Sequence, residues 1–436
     1  MVLGSTTILI SVFAGRELYE FFTPITGLAI MFLSTVSLGL AGVIYKNKYL
    51  AFLGLVLAGV APLLTGGPTL SHIAVFNYLL LIVAGIIWVA WWLKSSDLSL
   101  AGLFLTAIYS FPYLSEILTT GDDLKFSLPF IYLLAVLFLI TTIINILRIT
   151  DIAELRIDLS VIVGTGLLLL FWIMIAVPVD WRSFILLAWM LVFAVIGLGL
   201  YWRSGKQEVL LTCGGVATVM LAFITGLEAS SELLIVFYTL EAFLLSLITL
   251  LILKSSKIAG RVGLLLAGPI FMSLNSMNYR LWPDHLWHWD FGGLAILALV
   301  LVGLAGILIF YSKTVEKQKT DLVNYMMLVV GSVYFYILLW LSTHALLVDK
   351  DVAVMLSLFV YTVIGLAFYF QGVAVGWQSV KIYGGLLIGF VIGRLLFIDV
   401  WGMDLTGRII IFFLIGILLI STAFWIKEKP VNKNSV

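Results

Sequence analysis

Phe291-Gly-Gly-Leu-Ala-Ile-Leu-Ala-Leu-Val-Leu-Val-Gly-Leu-Ala-Gly-Ile-Leu-Ile-Phe-Tyr-Ser312 holds no charged residue, follows Asp290, and gives way to Lys313, Lys317 and Lys319. As a helix rising about 1.5 Å per residue, such a run reaches across the roughly 30 Å hydrocarbon core of a bilayer. Backbone polar groups find no water there, so a spanning chain is helical or a closed barrel. The run lacks the in–out alternation of a barrel strand. It is a transmembrane helix, with its acid at one end and its lysines at the other.

The same reading extends outward to about sixteen segments, near 2–21, 24–45, 48–66, 73–93, 98–118, 126–147, 157–178, 182–202, 208–226, 231–253, 260–277, 291–312, 322–343, 351–370, 381–400 and 406–426. Hydrophobic residues make up 63% of the 436 and charged residues 11%, against roughly 45–50% and 25% in soluble domains. The expected fold is an all-α polytopic transmembrane helical bundle. It forms one membrane domain over residues 1–426, with a short cytoplasmic tail at 427–436.

Charge alternates between the gaps. Seventeen of the 24 Lys and Arg residues fall in even-to-odd gaps or the tail, and seven (Arg16, Lys125, Arg182, Arg280, Lys350, Arg394, Arg408) on the opposite face. By the positive-inside rule the basic face is cytoplasmic. Both termini then lie inside, in a bacterial inner membrane. The net charge of +1 leaves no nucleic-acid footprint, and the single cysteine, Cys213, sits mid-helix and excludes an intramolecular disulfide. No phosphate-binding glycine loop, nucleophile elbow or cysteine metal motif is present, so no cofactor is expected.

Gly54-Leu-Val-Leu-Ala-Gly59, Gly263-Leu-Leu-Leu-Ala-Gly268 and Gly384-Gly-Leu-Leu-Ile-Gly389 each follow a basic gap, with a looser match at Gly164. The spacing fits possible repeats of four helices, although small residues also recur simply because they let membrane helices approach closely.

Two stretches carry a resemblance. Lys48-Tyr-Leu-Ala-Phe-Leu-Gly-Leu-Val-Leu-Ala-Gly-Val-Ala-Pro-Leu-Leu-Thr-Gly-Gly67, followed by Phe76-Asn-Tyr-Leu-Leu-Leu81, is similar to a glycine- and proline-marked helix pair of the predicted bacterial membrane proteins grouped as DUF2339. Gly393-Arg-Leu-Leu-Phe-Ile-Asp-Val-Trp-Gly-Met-Asp-Leu-Thr-Gly-Arg408 resembles that family's C-terminal end, with Arg394 where a lysine is common. Tyr238-Thr-Leu-Glu-Ala-Phe243 resembles an internal signature of the group. The resemblance implies a multi-pass membrane protein, here a short or partial member. It implies no activity.

Several polar residues are candidates for chemistry. Glu241 is the acid placed well inside a segment, where a carboxylate must be protonated, paired or wet. It is the candidate proton or cation site. The outer loop Asn278–Asp290 gathers Arg280, Asp284, His285, Trp287 and His288. His285 and His288 would share a face if that loop coils, and with Asp284, His72 and His344 they have metal-ligand chemistry, although spacing alone makes no metal site. Trp282, Trp287 and Trp289 fit either an interfacial belt or a platform for a sugar or headgroup, with Arg280 pairing a phosphate. In the last outer loop, Arg394 would pair with Asp399 or Asp404, or join Arg408 in binding an anionic headgroup. Two function classes follow. One is a transporter or flippase-like protein for a small or lipid-linked solute, with membrane lipids as partners. The other is an outer-leaflet enzyme acting on polyprenyl-linked sugar, with a non-catalytic scaffold as the remaining possibility.

Overall fold

The computed structural model describes residues 1–65, 72–93, 95–120, 128–148, 152–230, 233–277, 282, 288–317, 320–347, 349–395 and 397, with short helical pieces at 409–410, 412–413, 416–417 and 420. The described residues fold into helices, and none forms a strand. Among the described residues, eleven helices are long and apolar enough to cross a membrane, and α3 is a shorter apolar helix. The chain is an all-α polytopic helical membrane protein.

Contacts divide it into two compact units, Met1–Glu228 and Ala229–Val436. The first holds α1 (Val2–Glu17), α2 (Pro24–Ile44), α3 (Lys48–Thr65), α4 (His72–Leu93), α5 (Ser96–Thr120), α6 (Leu128–Arg148), α7 (Ile152–Ala176), α8 (Val179–Ser204) and α9 (Gln207–Glu228). α7 is central, packing on α5, α6, α8 and α9. Its Trp172 is fully buried and meets Phe76 of α4 edge-on at 5.7 Å, while Phe76 also lies 5.0 Å from Tyr113 of α5. Edge and tilted contacts of this kind suit the ring quadrupoles and tie three helices through three side chains.

The second unit holds α10 (Leu234–Leu253), α11 (Ser256–Gly263), α12 (Ala267–Ser273), α13 (Trp289–Tyr311), α14 (Leu322–Leu346), α15 (Lys350–Val375) and α16 (Gln378–Arg394). The expected segment 260–277 is a broken rod rather than one helix. A 3₁₀ turn, Leu264–Leu266, separates α11 from α12, and another, Asn275–Met277, follows it. Pro269 supplies the reason. Its nitrogen cannot donate to the carbonyl four residues back, at Leu265, and its ring crowds that carbonyl, so the chain tightens there. In the α15–α16 hairpin, a Cβ on Gly372 would collide with the Lys381 nitrogen, and one on Gly384 with the Tyr369 nitrogen. Only glycine admits backbone that close.

Large apolar side chains face outward throughout, among them Phe104, Phe171, Trp202, Phe271 and Phe390. Monomeric soluble proteins do not expose apolar surface on this scale, so lipid is its solvent. Polar contacts within each unit join gaps that the charge pattern assigns to one face. On the basic face Lys48 pairs with Asp97 at 3.5 Å, Arg148 stacks on Trp91 at 3.4 Å, and Lys313 lies 5.9 Å over Trp377. On the other face, Arg16 Nη1 donates to the Leu64 carbonyl at 3.5 Å. Within each unit these contacts join gaps of the same charge class, as a back-and-forth threading requires.

Candidate functional site

The helix pair marked by glycine and proline is joined by two tyrosines. Pro62 lies inside α3 and leaves the Ala58 carbonyl without its helical donor. Tyr78 Oη of α4 donates to that carbonyl at 2.9 Å, and Tyr109 Oη of α5 donates to the next one, Gly59. Both tyrosines are buried. Pro62 and Tyr78 sit in the two halves of the resembling stretch, and their contact explains why those halves belong together. This arrangement stabilises a kink and carries no chemistry.

Glu241 lies on α10 and is half-buried, with Tyr238 one turn before it and within reach of its charge. His288 has extended backbone (φ −142°, ψ 166°) at the N-cap of α13. Its ring meets Trp282 at 4.4 Å, and the Trp282 indole donates to the Ser276 carbonyl at 2.8 Å. His344 Nδ1 contacts the Trp340 carbonyl of its own helix at 2.8 Å. Among the described residues, no group of three or more His, Cys, Asp or Glu could hold a metal ion. Arg394, at the end of α16, sits 5.0 Å over Tyr336 and 5.7 Å over Trp340, both on α14. The two rings accept the cation on the α14 side, while its expected pairing with Asp399 or Asp404 falls on residues outside those described. Arg280, Asp284, His285, Trp287, Asp399 and Arg408 lie outside the described residues, as do Asp404 and the tail 427–436.

The sequence reading passes over two features. The first is a groove of about 900 Å³ running along α5 and α7 and reaching Thr212 of α9. It extends from Leu100 and Leu159 to Leu118 and Ile175, with Phe104, Phe111 and Phe171 exposed along it. The lining is apolar except for the hydroxyls of Ser110, Ser115, Ser160 and Thr212. Nothing in one-dimensional periodicity reveals it, because it forms between helices.

The second is Asp158, fully buried on the second turn of α7. Asn145 Nδ2 of α6 donates to its Oδ1 at 3.3 Å. The seventh segment is expected to begin at 157, whereas α7 begins at Ile152, which carries Asp158 into the packed interior. The pattern Leu155, Asp158, Leu159 and Ile162 at helical spacing is the signal that points to it.

No curated protein and no solved structure matches the chain. One family description does match, covering residues 3–287: all but the first two residues of the first unit, with the Pro62–Tyr78 pair, and the Tyr238–Phe243 stretch, but not residues 393–408. That match spans well over half of the sequence, and the chain belongs to the family described as predicted membrane protein, DUF2339.

Proposed function

We propose that this protein is a transporter or flippase-like carrier for a lipid-linked solute, in a bacterial inner membrane with its basic face toward the cytoplasm. The groove along α5 and α7 is the observation that supports it. From Leu100 to Leu118, α5 alone lines a stretch of about 27 Å at 1.5 Å per residue, close to the roughly 30 Å of a bilayer core. Its volume, about 900 Å³, is at the upper end of ordinary small-molecule sites. Exposed Phe104, Phe111 and Phe171 open it to the hydrocarbon, so an acyl or polyprenyl chain can slide in sideways. The hydroxyls of Ser115, Ser160 and Thr212 give a polar headgroup intermediate contacts between the two faces.

Reconstitution tests this. Vesicles carrying a dye-labelled phospholipid, and a parallel set with a dye-labelled polyprenyl phosphate, are mixed with a membrane-impermeant quencher. Protein should carry at least one of the two labels across, and Ala107→Trp, which fills the groove, should slow that movement about tenfold. Rates equal to protein-free vesicles for both labels, or an Ala107→Trp rate equal to the parent, would overturn the reading.

A further inference from the structure

At the basic end of the first unit, several polar side chains meet with too few partners. Asp158 is fully buried; its Oδ1 has the long bond from Asn145, while its Oδ2 has no hydrogen-bond partner. Ser96, the first residue of α5, turns its buried Oγ toward this carboxyl group, near enough to favour its charge but without closing a hydrogen bond of normal geometry. Ser99, one turn further along the same helix, and Ser95 are likewise buried with unbonded hydroxyls.

The charged groups facing Asp158 are Lys206, from the turn between α8 and α9, and Glu154 of α7 itself. Lys206 Nζ already donates to the Ile146 carbonyl at 3.0 Å. Two further charges of this end have partners of their own. Asp97 of α5 pairs with Lys48, and Arg148 of α6 stacks on Trp91.

An ionised oxygen with no donor is expensive in a bundle interior. Folded proteins leave few buried polar atoms unbonded, and a group of them marks the place of water or an ion. The donor set here is a carboxylate oxygen with neutral hydroxyls. It repels anions and has no nitrogen or sulfur to favour a transition metal. What it suits is a single positive charge bound through oxygen. Asp158 lies six residues from the start of α7, about 9 Å along the axis, within short reach of the aqueous basic face.

We propose that Asp158 Oδ2, with the Ser96 hydroxyl, binds a monovalent cation, either Na⁺ or a proton, drawn from the basic face. This stands apart from the groove and holds whether or not a lipid-linked solute is carried.

Dicyclohexylcarbodiimide labels protonated carboxyl groups in apolar surroundings, and mass spectrometry of the α7 peptide reads the label at Asp158 in the intact protein. If the cation is sodium, replacing choline chloride with NaCl protects Asp158 from the label at least about fivefold and raises the Tm, as ligand linkage requires. If it is a proton, NaCl does nothing and labelling falls about tenfold per pH unit above a midpoint. In either case Asp158→Asn loses the response, while Glu228→Gln, an exposed change at the end of α9, keeps it. Should Asp158→Asn not fold, Ser96→Ala retains the carboxyl group and shifts the sodium dependence or the midpoint. Labelling and Tm indifferent to both Na⁺ and pH, or a response unchanged in these variants, would overturn the proposal.

Discussion

Two proline-marked rods carry nearly the same glycine–leucine motif and end up with different backbones. In α3, Gly54-Leu-Val-Leu-Ala-Gly59 precedes Pro62, and the helix runs on to Thr65. In the second unit, Gly263-Leu-Leu-Leu-Ala-Gly268 runs directly into Pro269, and the helix gives way to 3₁₀ turns. The third copy of the motif, at Gly384, lies within the unbroken α16. The motif alone therefore does not set local structure. The distance from glycine to proline and the tyrosines on neighbouring helices decide it.

Those tyrosines differ in how replaceable they are. Tyr78 and Tyr109 each serve one carbonyl of α3. In the broken rod, Tyr334 Oη donates to the Ile270 carbonyl at 3.2 Å, but Ser273 Oγ reaches the same carbonyl at 2.8 Å and also bonds the tyrosine at 2.7 Å. The largest effect is expected where no second donor exists. Tyr78→Phe combined with Tyr109→Phe should destabilise the protein by about 2–3 kcal/mol, summing two interhelical bonds in a membrane. Reversible unfolding in mixed detergent measures it; a wild-type curve would mean that packing alone holds the kink.

Tyr334→Phe should cost about 1 kcal/mol or less, because Ser273 remains on the carbonyl. A loss as large as that of the double variant would erase the contrast between the rods. The smallest change in stability belongs to the prolines themselves. Pro62→Ala returns a donor to a carbonyl already bonded by Tyr78, and Tm should hardly move. Pro269→Ala lets Leu264–Leu266 relax to α-helix, read as slower amide hydrogen exchange through that turn. Exchange there as fast as in the parent would show that Pro269 is not what breaks the rod.

The helices were legible because lipid imposes a strict rule: long apolar runs must close their own backbone bonds. Their ends were less so. Glu154 and Arg156 make the start of the seventh run look like a loop, yet α7 includes them. The first turns of a membrane helix can hold charges that reach back to water. That shift is what hid Asp158. Pairings across distant helices were not legible either. Tyr336 and Trp340 share a face of α14 at i, i+4 spacing, but nothing in the order of residues says that Arg394 will rest on them. Glu241 was readable as an acid within a helix, and the structure adds its half-buried setting beside Tyr238.

The arginines on the less basic face have a further meaning. Arg16 donates to Leu64 at the C-terminal turn of α3, Arg182 Nε donates to the Val177 carbonyl at 2.8 Å just past the end of α7, and Arg394 rests on two rings. Cations at helix C-termini complement the negative end of the macrodipole. These three exceptions to the charge asymmetry are thus tethered locally once the bundle forms. With the basic face toward the cytoplasm, as proposed, they are the positive charges that must be translocated during insertion, and their reward comes only afterwards, as latches. A polypeptide so arranged gains resistance to flipping back out of the membrane from the residues that most oppose its entry.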